Sequence, residues 1–385
     1  MTSRRAFIKG ASKATAGILF GGCSLVDSAL GAMWAPPSAP QAGGKRREVK
    51  VGGQRVTTVD FHCHGVVSDV WDLVKDQMED ASRADRRRVF RMRDAVDENS
   101  NLRNADQRLA KMDEIGIDIQ AVSINPFWDW MKPELARRVI SFQNEKIAEL
   151  CAAYPDRFVG LGTVALHHPD LAAEQVEEGV KKFGMRGFAI GGSVNGEELA
   201  NPKFHPFWAK AEELGAVVFI HPHGFSGDGP DSPEQKRFHG NGLLGNVIGQ
   251  PLETTVALSH LILEGTLDRF PNVKICAAHG GGYLPHYSGR QDQCTVAFPK
   301  ECKPVKKPFT EYLKQIYYDS LVITAPSLRH VIDEVGVNQV VLGTDYPTPW
   351  NFDAVDRVLA VPGLTNAEQK AILGGTAAKL LRIKS

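Results

Sequence analysis

Val56-Thr57-Thr58-Val59-Asp60-Phe61 runs directly into His62-Cys63-His64. The first six residues are mostly β-branched or apolar, the composition of a strand. Strand side chains alternate between faces, so His62 and His64 point one way and Cys63 the other. Two neutral imidazoles one strand-step apart can share a cation, which leaves Cys63 for packing.

Seven more runs of this character follow: 119–123, 158–162, 187–190, 216–220, 273–277, 316–319 and 339–342. The stretches between them have helical period, notably Glu134 to Ala153, Leu171 to Phe183 and Pro206 to Leu214. Buried strands alternating with helices imply a parallel sheet. Eight such units imply a (β/α)8 TIM barrel, with an open doubly wound sheet as the alternative. Residues 66–106 interrupt the first unit, are rich in charge and contain Arg86-Arg87-Arg88. They read as an insertion after the first strand, over the mouth of the barrel, acting as a lid or as a plain solvated excursion.

The His and Asp residues fall where such a barrel builds its sites. His62 and His64 follow the first strand, His221 the fifth, His279 the sixth and Asp345 the eighth. All five belong to the C-terminal face. A carboxylate that ends a buried strand needs a partner, and a cation supplies one. Three imidazoles (His62, His64, His221) with Asp345 suit a divalent metal, Zn²⁺ or another first-row ion. His279 lies in Ala277-Ala278-His279-Gly280-Gly281-Gly282, where the glycines let substrate or another loop come close. An imidazole beside an activated water is placed for proton transfer; a packed structural histidine is the plainer alternative.

The chain has 385 residues, 43% hydrophobic and 23% charged, with 45 basic and 45 acidic side chains. That suits one large globular domain and excludes a strongly basic nucleic-acid binder. The neutrality hides an asymmetry. Residues 1–35 hold Arg4, Arg5, Lys9 and Lys13 against Asp27 alone, so beyond them 41 bases face 44 acids. A basic head, a short apolar middle and a small-residue tail over residues 1–32 form an export signal. Its apolar run is too short for a membrane span of ~30 Å. Arg4-Arg5-Ala6-Phe7-Ile8-Lys9 resembles a twin-arginine leader, which implies a periplasmic address. Leu19-Phe20-Gly21-Gly22-Cys23 offers a lesser possibility, lipid attached at Cys23. Residues 33–50, with three prolines and two glycines, read as a flexible linker to the domain at 51–385. Six cysteines do not make a disulfide framework at this length. Cys63, Cys151 and Cys276 read as buried thiols. Cys294 and Cys302 flank a polar loop and can pair after export, although a protein folded before export meets a reducing compartment first.

Taken together, these motifs resemble the amidohydrolase superfamily, and most of all its aminocarboxymuconate-semialdehyde decarboxylase branch. The resemblance rests on His62-x-His64, the lone His221, Ala278-His279-Gly280-Gly281-Gly282 with Gly289-Arg290, and Gly343-Thr344-Asp345-Tyr346-Pro347. Arg108-Leu109-Ala110-Lys111-Met112-Asp113 before Gly116-Ile117-Asp118 fits as well. It covers about residues 57–383. It implies one metal on His62, His64, His221 and Asp345, and His279 as the acid/base. It also implies that Arg290 binds a substrate carboxylate across the interface of a homodimer, by bidentate pairing. A structural Arg capping a helix is the alternative for Arg290. His223 stands where the decarboxylase has Trp, and Arg91, Arg93 and Arg103 are candidates for its second substrate Arg.

The expected activity is removal of CO₂ from a small unsaturated or aromatic carboxylic acid. A metal-dependent hydrolase of a lactone, amide or carbon–carbon bond is the alternative enzyme. A non-catalytic exported metal-binding protein is the third reading, disfavoured by His279 and an open coordination position.

Overall fold

The computed structural model describes residues 46–79, 81, 86, 89, 101–125, 128–223, 237–238, 243–302, 305–350 and 352–383. The leader at 1–32 and Cys23 lie outside the described residues, as do Arg91 and Arg93.

The barrel strands are β1 (Val59–His64), β2 (Ile119–Ser123), β3 (Phe158–Thr163), β4 (Gly187–Ile190), β5 (Val217–Ile220), β6 (Lys274–Ala277) and β7 (Ile316–Asp319). The eighth, β8, comes in two pieces, Val340–Val341 and Gly343–Tyr346, broken at Leu342. Its first piece pairs with β7 and its second with β1, all in parallel. That double pairing closes the ring and decides for the barrel over the open sheet. The eighth strand therefore extends past the expected Leu342 into the Gly343-Thr344-Asp345 motif.

The helices include α1 (Val70–Val74), α2 (Ala105–Ile115), α3 (Pro133–Ala153), α4 (Pro169–Lys181), α5 (His205–Leu214), α6 (Gln250–Leu263), α7 (Leu284–Ala297), α8 (Ala325–Val335), α9 (Ala354–Leu359) and α10 (Thr376–Leu380). Proline at the first turn starts α3 and α4 without losing a needed N–H. Left-handed Gly116 and Gly215 end α2 and α5. No described helix is long and apolar enough to cross a membrane.

Two cores result. Val59, Phe61, Ala121, Leu161, Val217, Phe219 and Val341 form an inner cluster, which Ala377, Leu380 and Leu381 of the C-terminal segment join. A larger outer cluster packs the opposite strand faces, including Cys63, Val122, Ile190 and Ile275, against the helices. Val70 and Val74 of α1 belong to this outer cluster, so the described start of the insertion packs on the barrel's flank beside α3. The insertion's two ends meet, with Val66 bridged to Asn101 and the Leu102 N–H donating to the Val66 carbonyl at 3.0 Å.

Residues 46–50, which composition places in the linker, belong to the barrel instead. Arg46 pairs with Asp113 at 3.1 Å and Asp118 at 3.3 Å, and Val49 is buried. The Pro/Gly-rich character ends at Gly44, and ion pairs to distant carboxylates hold the next residues in place.

Candidate metal centre

The alternation expected of His62-Cys63-His64 holds, and a register shift sets its phase. Phe61 faces the inner core and Cys63 the outer one, while the His62 ring lies 5.0 Å from Phe219 of the inner core. Phe61 and His62 thus both face inward, and the β1–β2 pairing shifts between Asp60 and Cys63 to allow it. His221 follows β5, its N–H held by the Ile190 carbonyl at 2.9 Å. Asp345 adopts a left-handed backbone, φ 59°. The ligand atoms of His62, His64, His221 and Asp345 all lie within 4.8 Å of one another, and all four residues are buried.

The ring nitrogens are committed in a way that suits a cation. His62 Nδ1 sits 2.5 Å from Asp319 Oδ2 and donates to that carboxylate. Ser123 Oγ donates its hydrogen to the Cys63 carbonyl at 2.9 Å, so it accepts from His64 Nδ1 at 3.2 Å. With both rings neutral, as metal ligation requires, both Nε2 atoms are acceptors, 3.0 Å from each other and 3.3 and 3.0 Å from Asp345 Oδ1. His221 Nδ1 is buried without a hydrogen-bond partner among the described residues. Lone pairs converging on a carboxylate oxygen repel one another unless a cation sits among them. The four residues therefore fit a divalent metal ion.

Without a metal, a proton on His62 takes the place of that cation. Burial opposes the charged form of His62, but hydrogen bonds and charge from Asp319 and Asp345 outweigh it and raise it to about 10. Burial would lift Asp345, yet His62 and His64 hold it well below the usual carboxylate range. His221 is driven down by burial and by the neighbouring imidazoles. Metal uptake at this cluster releases a proton, because a ligating imidazole must be neutral.

His279 stands beside the ligands, its ring centroid 5.3 Å from that of His62 and 5.4 Å from that of His221. It too has a left-handed backbone, φ 56°, an arrangement that persists at functional sites when the surroundings enforce it. Asp319 enforces it, accepting the His279 N–H at 2.9 Å and the Gly280 N–H at 2.8 Å. Burial first, then the charge of His62, push His279 down to about 4, so its imidazole is neutral near pH 7. The glycines after it admit protein rather than substrate: a Cβ on Gly282 would lie 1.9 Å from the Pro251 carbonyl oxygen of α6.

Arg290 does not join this cluster. It lies on the exposed side of α7, with no hydrogen bond or ion pair among the described residues. Arg103 is taken up by Asp69. Cys294 and Cys302 are bonded, Cα to Cα 5.9 Å, at the end of α7. Cys63 and Cys276 are buried thiols and Cys151 is partly buried.

A barrel with three histidines and an aspartate gathered at its mouth is a mononuclear metalloenzyme frame. The amidohydrolase family model matches residues 59–383, and the chain belongs to that family. It is 32% identical over 288 residues to 2-amino-3-carboxymuconate-6-semialdehyde decarboxylase of Dictyostelium discoideum, covering 74% of this chain and 78% of that one. 5-Carboxyvanillate decarboxylase from Sphingomonas paucimobilis has the same fold, with TM-score 0.74, 25% identity, and 86% of this chain and 100% of that one covered. The enzyme of the same name from Novosphingobium aromaticivorans, with manganese and 4-hydroxy-3-methoxy-5-nitrobenzoic acid bound, aligns at TM-score 0.70 and 24% identity, covering 87% and 99%.

Proposed function

We propose that this chain is a metal-dependent carboxy-lyase that removes CO₂ from a small unsaturated or aromatic carboxylic acid. The observation that carries it is a partly buried His279 packed against a four-ligand divalent site, on a frame matched by decarboxylases. A bound divalent cation supplies Lewis acidity toward a substrate oxygen. His279 moves the proton: its neutral imidazole takes one up from solvent water and delivers it to the carbon that loses the carboxyl group. Asp319 keeps that imidazole in place through the backbone N–H. The carbon–carbon bond breaks with its electron pair left on the substrate carbon, and the new C–H bond replaces it as CO₂ leaves.

Zn²⁺ is the proposed ion, on its preference for imidazole and carboxylate ligands, with Mn²⁺ as the rival on the strength of the Novosphingobium enzyme. Arg290 is proposed to hold the substrate carboxylate of a second subunit in a homodimer; its exposure and lack of a partner among the described residues support this. Residues 1–32 are proposed as a twin-arginine leader to the periplasm, with lipid at Cys23 as the lesser alternative. Changing Arg4→Lys and Arg5→Lys together is expected to trap the protein in the cytoplasm, as cell fractionation would reveal. Unchanged export would point to another route.

The deciding assay follows CO₂ release by metal-loaded protein over hydroxybenzoate, carboxyvanillate-type and muconate-type acids. Release from at least one is expected. Cleavage of a lactone or amide without CO₂ would make the protein a hydrolase. Bound metal with no turnover at all would make it a metal-binding protein.

A further inference from the structure

Regular strand pairing fails where the ligands stand. The β1–β2 pairing shifts between Asp60 and Cys63, and the β8–β1 pairing shifts between Gly343 and Tyr346. His62 and Asp345 fall within those two gaps, and His64 lies one residue beyond the first. A buried side-chain network occupies the same region. The Asp60 carboxylate accepts from the His62 N–H at 3.2 Å, the Thr344 N–H at 3.0 Å, Thr344 Oγ1 at 2.6 Å and Gln120 Nε2 at 3.0 Å. Gln120 Oε1 in turn accepts from Arg108 Nη1 at 3.1 Å. Arg108 Nη2 donates to the His64 carbonyl at 2.5 Å, and its guanidinium lies 4.6 Å over the Tyr346 ring. Arg108 belongs to α2, outside the ring of strands, yet is only 1% exposed.

We infer that Arg108 is a positioning residue for the metal centre, clamping β1 at His64 and β8 at Tyr346 while reaching Asp60 through Gln120. It contacts no ligand atom; it fixes the backbone from which three of the four ligands project. The planar fork is the reason for arginine. It serves the His64 carbonyl and the Gln120 amide at once and stacks on the ring, whereas a lysine ammonium offers one point charge. Buried charge is tolerated here because both terminal nitrogens are hydrogen-bonded and the guanidinium stacks on Tyr346; Nε alone has no partner among the described residues.

The inference rests on the divalent-metal reading of the site, and the test separates the two. Arg108→Lys keeps the charge and removes the fork. Mn²⁺ affinity is read by competition with a chelating dye, ligand geometry by the electron paramagnetic resonance of bound Mn²⁺, and stability by thermal unfolding. Leu150→Ala, a cavity in the outer core on α3, serves as the reference for a protein that is merely less stable. Arg108→Lys is expected to bind Mn²⁺ about 10–100-fold more weakly, with an altered resonance, the usual penalty for losing outer support of a metal ligand. Leu150→Ala is expected to match wild type in both. Gln120→Met, which cuts the link to Asp60, is expected to weaken binding in the same direction and replaces Arg108→Lys if that variant does not fold. Wild-type affinity and resonance in the folded variant would overturn the inference. A wild-type protein that takes up no divalent ion would overturn the reading of the site instead.

Discussion

The two ends of the barrel treat charge in opposite ways. At the base, where strands begin, Arg46, Arg55 and Arg157 face Asp113 and Asp118 at 2.7–3.3 Å. Asp118 also accepts the Thr58 N–H at 2.9 Å, which ties β1 to β2 before either starts. At the mouth, the rings of His62, His64 and His221 crowd together with centroids 4.5–5.0 Å apart, and His279 lies 5.3 Å from His62 and 5.4 Å from His221. Two left-handed residues and two register shifts accompany them. Opposites matched at the base favour stability. Like groups pressed together at the mouth cost stability unless a cation joins them, and such local conflict marks the working end.

Asp345→Ala is the sharpest way to break this contrast. It removes the one carboxylate among the proposed ligands, and both bound metal and turnover are expected to vanish, as elemental analysis and the CO₂ assay would register. Retention of full metal content would dissolve the mouth as a metal site. His279→Ala comes next. The fold and the metal are expected to persist while kcat falls about 10²–10⁴-fold, the usual contribution of a positioned acid or base. A variant turning over near the wild-type rate would reduce His279 to packing; one without metal would move it among the ligands. Removing the metal from wild type with a chelator is expected to lower the melting temperature. The loss approaches about 4 kcal/mol if the protein was held at roughly a thousand times Kd. A melting curve indifferent to chelator would mean that the crowded imidazoles need no cation. The smallest effect belongs to the base. Asp118→Ala strands the buried Thr58 N–H and is expected to cost about 1–3 kcal/mol in denaturant unfolding, with kcat per folded molecule unchanged. A fall in kcat there would show that the two ends are coupled.

The barrel is largely legible in the sequence because each strand is a short apolar run, and the metal ligands are legible because each closes one of those runs. The supporting residues are harder to see, for different reasons. Asp319 ends Ile316-Tyr317-Tyr318 just as Asp345 follows its own apolar run, so its role in holding His62 and His279 carries the same local signal. Asp60 stands two residues before His62, but the register shift between them makes simple alternation a poor guide to its surroundings. Arg108 opens a motif that fits the family resemblance, but its role stays hidden, because its partner at the site is a backbone carbonyl 44 residues away. Segment 46–50 is hidden for a similar reason, since its anchors lie at Asp113 and Asp118.

The split eighth strand bears on when this protein becomes competent. Its second half carries Asp345 and closes the ring against β1, which carries His62 and His64. The first and last strands of the barrel must therefore meet before the ligand set exists. A nascent chain presents the early histidines long before residues 343–346 have been made, so no shortened or half-closed barrel can offer all four ligands together. An ion held by all four side chains would therefore require the closed ring.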